Sequence, residues 1–172
     1  MSGVLQPLDG PLAPERAGHG LDARYRLDLR AVAARENSID SALVSGDSVI
    51  AVASAWLARP LAGNGEDVEL EVRVRTTQSI RFETSRALSG NRFRIRASEL
   101  HHAGFSAFGK IEQHTLSGAG VAGDASDFTV VLLDGRLDLG RPALLEWIAR
   151  MAEHSAAFWQ GFPGPGMRLF VI

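Results

Sequence analysis

Cysteine is absent from the 172 residues of this chain. Disulfide bonds, a thiolate nucleophile and zinc held by cysteine are therefore excluded within it. The absence of cysteine does not indicate whether the protein resides in an oxidising or a reducing compartment. Any catalytic or metal chemistry in this sequence has to come from hydroxyl, imidazole, carboxylate or basic side chains.

Long apolar runs and a surplus of one charge are also missing. No run approaches the about 18 consecutive apolar residues that a membrane-spanning helix needs, and residues 1–20 lack the basic and apolar regions of a signal peptide. The net charge is -2, which argues against binding to nucleic acid or to anionic membranes. We expect a soluble protein of bacterial type, cytoplasmic or periplasmic.

Apolar and polar residues alternate in several segments, which is typical of half-buried strands. This pattern is clearest in residues 21–32 (LDARYRLDLRAV) and 67–76 (DVELEVRVRT). Residues 48–57 (SVIAVASAWL) also predict a strand, with a short helix as the alternative because alanine is frequent. Residues 127–135 (DFTVVLLDG) predict a further strand, and residues 136–140 a short return arm.

Turn residues separate these segments. Asn64-Gly65 supplies the positive φ that tight hairpins need. Residues 79–85 and 92–97, on either side of Ser89-Gly90-Asn91, predict a second hairpin. About seven strands joined mostly by short turns indicate a mainly β chain that forms an antiparallel β-sandwich. We assign the sandwich to residues 21–139 and a loose lead-in to residues 1–20.

The periodicity changes to that of a helix within residues 140–172. Pro142 suits the first helical turn, and Glu146 and Arg150 are spaced for an ion pair. One side of this helix is apolar and carries Leu144, Leu145, Ile148, Met151, Ala152 and Trp159. The chain then ends in an apolar strand, MRLFVI, in which Arg168 is the only polar residue.

The final strand, Met167 to Ile172, allows two interpretations. It could return to the sandwich as its last strand, or it could belong with the preceding helix to the start of a further domain. Apolar strands without alternation are usually covered on both faces. Because little of this chain remains to cover a second face or to pair with a second edge, we favour the further domain.

The sequence LLDGRLDL, the helix LLEWIARMAEHSAAF, the turn FWQGFPGPG and the strand MRLFVI resemble the junction between domains in M61-type (glycyl aminopeptidase-like) peptidases. AGFSAFG at 103–109 is similar to a segment of the same family, and the M1 aminopeptidases are a looser match. The resemblance covers about residues 80–172. It implies a β-sandwich-like amino-terminal domain followed by a thermolysin-like zinc catalytic domain, which the helix and final strand would open.

The resemblance implies a non-catalytic role for this chain, which would frame the substrate cleft and support the catalytic domain of a metallopeptidase. Its partners would be the remainder of its own polypeptide and the peptide substrate of the parent enzyme. These enzymes bind zinc through His-Glu-x-x-His, whereas Glu153-His154 has the reverse order and no second histidine follows it. We therefore assign no catalytic, cofactor or metal residue here, expect zinc only in the catalytic domain, and predict that this chain alone is inactive.

A histidine-rich segment, ELHHAGFSAFGKIEQH, is the main candidate for a metal site. His102 and His114 could bind a metal if a hairpin brought them together, near Glu99 and Glu112. The alternative, which we favour, places Glu99, His101 and His102 at a turn and His114 on the wet face of a strand. The remaining histidines are His19 and His154.

The same segment resembles the nucleophile elbow G-x-S-x-G around Ser106. Gly109 comes one position too late, however, and a strand rather than a helix is predicted after it. We favour a tight turn that packs Phe105 and Phe108 into the core. A self-contained hydrolase that uses Ser106 or a histidine metal site is accordingly the least favoured function.

Two further groups of side chains could bind ligands. One is a row of arginines, namely Arg73, Arg75, Arg92, Arg94 and Arg96. It could bind an anion, but a solvated face offset by Glu69, Glu71 and Glu83 is the simpler interpretation. The other is the set of tryptophans, Trp56, Trp147 and Trp159, for which core packing is favoured over a ligand groove.

The alternative function for the chain as a whole is a free-standing β-sandwich that binds a protein or carbohydrate.

Overall fold

A computed structural model describes residues 25–58, 69–86, 92–116, 128–160 and 167–172. Within these ranges the chain is mainly β, with nine strands in an open sandwich-like arrangement, and a carboxy-terminal helix precedes the last of these strands. The strands are β1 (Ala42–Ser45), β2 (Ser48–Val52), β3 (Glu69–Arg73), β4 (Arg81–Thr84), β5 (Arg92–Arg96), β6 (Phe105–Gly109), β7 (Ile111–Leu116), β8 (Phe128–Leu133) and β9 (Met167–Val171). The helices are α1 (Leu29–Glu36), α2 (Ala53–Trp56), a 3-10 helix (Ala97–His102) and α3 (Arg141–Trp159).

The described strands form three sheets. The front sheet has the order β1-β2-β6-β4, the back sheet has the order β7-β8-β9, and β3 and β5 form a small sheet. All pairs are antiparallel except β8 and β9, which run parallel. A parallel pair needs a crossover connection, and α3 lies in the chain between these two strands.

Strand β8 lies at the centre of the packing. Its residues Phe128, Val130 and Leu132 contact α3, while Val131 and Leu133 pack with residues of the front sheet. The front sheet, the back sheet and α3 therefore form three successive layers. Because both faces of β8 are covered, its sequence FTVVLL is apolar throughout rather than alternating.

The alternating pattern of residues 21–32 was expected to form a strand, and this prediction is wrong for the described residues 25–32, because 25–28 form no strand and 29–32 begin α1. Asp28 explains the difference, because its Oδ1 accepts a hydrogen bond from the Ala31 amide at 2.9 Å and caps the helix. Asn37 ends the helix in the left-handed conformation (φ 42°). Residues 21–24 lie outside the described ranges.

The expected second hairpin is also wrong, because β4 pairs with β6 while β5 pairs with β3. Charge pairing accompanies the observed register. Arg94 of β5 lies 3.4 Å from Glu69 and 3.7 Å from Glu71 of β3. No strand forms in the expected return arm at residues 136–140.

Other expectations agree with the structure. Residues 48–57 form both the predicted strand and the short helix that was its alternative, since β2 is followed directly by α2. The strands expected within 67–76 and 127–135 are confirmed as β3 and β8, and the helix after Gly140 as α3. Pro142 lies in the first turn of α3. The expected turn at Asn64-Gly65 lies outside the described residues.

The turn between β1 and β2 ties the front sheet to the end of β8. Ser48 Oγ donates a hydrogen bond to the Lys110 carbonyl oxygen at 2.6 Å and accepts one from the Asp134 amide at 3.1 Å. Asp134 Oδ2 accepts from the Asp47 amide at 3.0 Å, and Lys110 Nζ lies 2.9 Å from Asp134 Oδ1. The Asp47 hydrogen bond and then Lys110 lower the pKa of the Asp134 carboxyl group.

We expect Asp28→Ala to lower the free energy of unfolding by about 1 kcal/mol, because the amide of Ala31 loses its acceptor. Asp28→Asn is the matched control and should stay close to the wild type, since asparagine caps helices equally well. Urea unfolding followed by circular dichroism measures both. Equal losses in the two variants would contradict the capping role.

Asp134→Asn should make the stability less dependent on pH at acid pH. A carboxyl group whose pKa is lowered by folding stabilises the protein above its unfolded-state pKa, and this stabilisation disappears as the pH falls through the folded-state pKa. Urea midpoints measured between neutral pH and about pH 3 should therefore fall less steeply in the variant than in the wild type. Asp138→Asn, at an exposed position of the following loop, is the control and should retain the wild-type slope.

Candidate functional site

One column of side chains on α3 is buried against the back sheet and consists of Leu144, Ile148, Ala152 and Ala156. On the outer side of the helix, Arg150 Nη2 lies 3.7 Å from Glu146 Oε1, four residues apart as expected. The helix ends at Gln160, which adopts the left-handed conformation. The buried column is narrower than the apolar side that the sequence shows, so apolar residues beside it remain uncovered.

A groove of about 590 Å³ lies between α3 and β9. Its walls are apolar except for Ser155 and are formed by Phe128, Trp147, Ile148, Met151, Ala152, Ser155, Trp159, Met167 and Leu169. Trp147 is 52% exposed and Trp159 is 72% exposed. At the end of α3, the rings of Phe158 and Trp159 meet edge to face with centroids 5.0 Å apart.

The expected core packing of Trp147 and Trp159 is wrong, because both line this open groove. The reason is the width of the back sheet, where β9 is the last described strand on that side. Trp56 does pack as expected. Its ring contacts Phe82, Phe93 and Phe108 at centroid distances of 6.2, 6.5 and 5.2 Å.

Strand β9 pairs with β8, and no described residue pairs with its other edge. The expectation that little would cover its second face is wrong, because the front sheet lies there. Phe170 packs with the residues between the two sheets, and Val171 packs with those under α3.

Arg168, the only polar residue of β9, faces Glu83 of the front sheet. Its Nε lies 3.9 Å from Glu83 Oε2, and the two side chains are 24% and 13% exposed. Burial raises the pKa of the Glu83 carboxyl group, while Arg168, a hydrogen bond from Gln113 and Arg81 oppose this effect. The pair connects the final strand to the sandwich electrostatically.

Ser106 does not lie at an elbow. It is 2% exposed on β6, and its Oγ donates a hydrogen bond to Thr84 Oγ1 at 3.2 Å. The expected tight turn is wrong as well, because residues 105–109 form a strand whose successive side chains point to opposite faces. Phe105 packs between the two sheets, while Phe108 joins the aromatic cluster of Trp56. A buried hydroxyl in a regular strand cannot act as the exposed nucleophile of an elbow.

The described histidines are not grouped. His102 ends the 3-10 helix, whereas His114 lies on β7, 3.8 Å from Glu112, which also pairs with Arg141 at 3.3 Å. Within the described ranges, no group of three or more His, Asp or Glu side chains could hold a metal ion. His19 and the side chain of His101 lie outside these ranges.

The arginine row is a solvated face, as expected. Glu71 lies 3.5 Å from Arg92 and 4.0 Å from Arg73, and Glu69 pairs with Arg94. These residues alternate with buried Phe93 and Ile95. Glu83, which was expected to offset the arginines of this face, instead pairs with Arg168.

Comparison with known proteins gives a likeness of fold. No family model matches the sequence, and no curated protein is similar to it. Among solved structures, an aminopeptidase N family protein from Idiomarina loihiensis superposes with a TM-score of 0.55 and 12% sequence identity, over 77% of this chain. The matched region is 23% of that protein, so this chain spans about a quarter of its length. None of the described helices is long and apolar enough to cross a membrane.

Arg168→Met should destabilise the protein by about 1–2 kcal/mol at pH 7, because it leaves the half-buried Glu83 carboxylate without its nearest cation. The loss should shrink at about pH 4, because burial raises the pKa of the Glu83 carboxyl group above its ordinary value and thereby favours its protonated form in acid. The double variant Glu83→Gln/Arg168→Met should recover part of the loss, giving a coupling energy of about 0.5–2 kcal/mol. Chemical unfolding of the four proteins at both pH values measures this, and strictly additive effects would show that the pair does not interact.

Proposed function

We propose that this chain is the amino-terminal, non-catalytic portion of a zinc metallopeptidase similar to the M61 and M1 aminopeptidases, in which it frames the substrate cleft and supports the catalytic domain. One observation carries the proposal. The fold matches part of an aminopeptidase N family protein over 77% of this chain, yet the match occupies only 23% of that protein. The likeness is thus one of a domain rather than of a whole enzyme.

The edge of β9 and the groove beside α3 support this proposal. Both are features that a following domain could cover, the edge through backbone hydrogen bonds and the groove through apolar side chains. The M61 resemblance of the sequence from LLDGRLDL to MRLFVI falls on the same elements, since it comprises the end of β8, α3 and β9. The contacts of β8 with both α3 and the front sheet are consistent with a supporting role for the sandwich.

The side chains of α3 do not fit a zinc site. Glu153 and His154 are exposed on this helix, and the position four residues after His154 is occupied by Phe158. An apolar ring cannot replace the second imidazole of His-Glu-x-x-His. We therefore derive no step through zinc for this chain and place the metal of the proposed enzyme in its catalytic domain.

The test begins with the reading frame after Ile172. The proposal expects it to continue to a His-Glu-x-x-His motif. The longer protein should then release p-nitroaniline from aminoacyl p-nitroanilides and lose this activity with a chelator, whereas the 172-residue chain should show no turnover and no stoichiometric zinc. A stop codon directly after Ile172, or a continuation without the motif, would contradict the proposal.

A second candidate is a free-standing binding module for a protein or carbohydrate. The groove favours it, because Trp147 and Trp159 present exposed aromatic rings beside an apolar wall. This function requires no continuation of the chain. A stop codon after Ile172 together with a saturable change in tryptophan fluorescence on ligand addition, abolished in Trp159→Ala, would support it over the peptidase role.

A further inference from the structure

We propose that the chain pairs with a second copy of itself through the edge of β9 and the adjoining apolar groove. This inference goes beyond the proposed function, because it concerns the 172-residue chain itself. The α3–β9 surface comprises Trp147, Met151, Phe158, Trp159, Met167 and Leu169, all of which are exposed large apolar side chains. Half of the exposed large hydrophobic residues in the described part of the chain belong to this surface.

The area of this surface is large for one that a monomer exposes. Trp147, Phe158 and Trp159 are 52%, 77% and 72% exposed. An aromatic side chain buries about 150–250 Å², so these three exposed portions correspond to roughly 300–500 Å². The partly exposed Met151, Met167 and Leu169 add to this, so the apolar surface reaches the upper end of the about 300–600 Å² that the largest patches of monomers cover. A standard interface buries about 800 Å² per partner, and pairing of the β9 edges would supply the remaining contact.

The edge of β9 has little of the usual protection against pairing. Natural edge strands carry lysine, proline or inward-pointing charges, and β9 contains neither lysine nor proline. Arg168 is its one inward-pointing charge, and this charge lies 3.9 Å from the Glu83 carboxylate of the same molecule, which offsets it. The backbone groups on the outer edge of β9, with which no described residue pairs, are therefore flanked by apolar side chains, which favours addition of another strand.

A second copy fits this edge by symmetry. Two antiparallel β9 strands related by a two-fold axis form an isologous contact. Full overlap of the five-residue strands places Leu169 opposite its own copy and Arg168 opposite Phe170, so that like charges do not meet. The axis is perpendicular to the joined sheet, so both α3 helices lie on the same face and the two grooves face each other. Strand pairing and apolar burial thus act together.

Sedimentation velocity and light scattering over a range of micromolar concentrations test the proposal. We expect twice the mass of one chain. Leu169→Arg should restore the monomer, because it places a charge within the apolar contact and repels its own copy. Ile39→Arg is the matched control and should remain dimeric. Ile39 is an exposed isoleucine that lies beside β1, at the edge of the front sheet opposite β4. Circular dichroism and urea unfolding establish that both variants fold.

A cross-link gives a second readout that does not depend on the folding of a charged variant. The chain contains no cysteine, so Leu169→Cys introduces a single thiol. Under mild oxidation it should form a covalent dimer, since opposite residues of antiparallel strands have Cβ atoms about 4.5–5.5 Å apart, close to disulfide geometry. Ile39→Cys should stay mostly monomeric under the same conditions.

A monomer at all concentrations, or a dimer that survives Leu169→Arg, would overturn this inference. Neither result bears on the proposed peptidase role, which depends on the reading frame after Ile172. Conversely, a reading frame without the zinc motif would remove the peptidase role and leave the dimer intact. A dimeric 172-residue chain beside a monomeric longer protein would agree with both proposals, because the following domain would then cover the same surface.

Discussion

The burial of β8 on both of its faces is the constraint on which the rest of the structure depends. Val131 and Leu133 pack toward the front sheet, and Val130 and Leu132 pack toward α3. Both the front sheet and α3 therefore pack on β8. If either layer were missing, the apolar side chains on that face of β8 would be exposed to water. The order of the elements in the chain follows from this, since α3 must cross the back sheet before β9 can pair in parallel with β8.

The elements that were predictable from sequence are those whose pattern reflects one dominant environment. The strands β3 and β8 and the helix α3 belong to this group, because alternation, continuous apolarity and helical spacing each arise from a simple burial pattern. Residues 29–32 were mispredicted because alternation also occurs by chance over a few residues. The hydrogen bond that Asp28 accepts at the start of α1 stabilises the helix instead. Strand pairing was harder to predict from the sequence than the strands themselves. The partner of β4 is β6 rather than β5, and such a choice depends on contacts between distant residues that no local pattern records.

The candidate site was only partly predictable. The continuous apolar character of β9 was visible in the sequence, and no described residue pairs with its outer edge. The groove was not visible in the sequence, since Trp147 and Trp159 occupy helical positions that a wider sheet would have buried. Its extent is set by how many strands lie under α3, which is a property of the assembled sheet. The pairing of Arg168 with Glu83 was equally hidden, because these residues are far apart in sequence and meet only once the back sheet lies on the front sheet.

The position of β8 in the chain also bears on how the protein is made. During synthesis β8 leaves the ribosome before α3 and β9, and until α3 has emerged it cannot cover the outer face of β8. Nascent chains with exposed apolar strands are prone to association and are common substrates of chaperones. The interval between β8 and β9 is thus a stage of translation at which this polypeptide is prone to association, and slower codons placed there would prolong it.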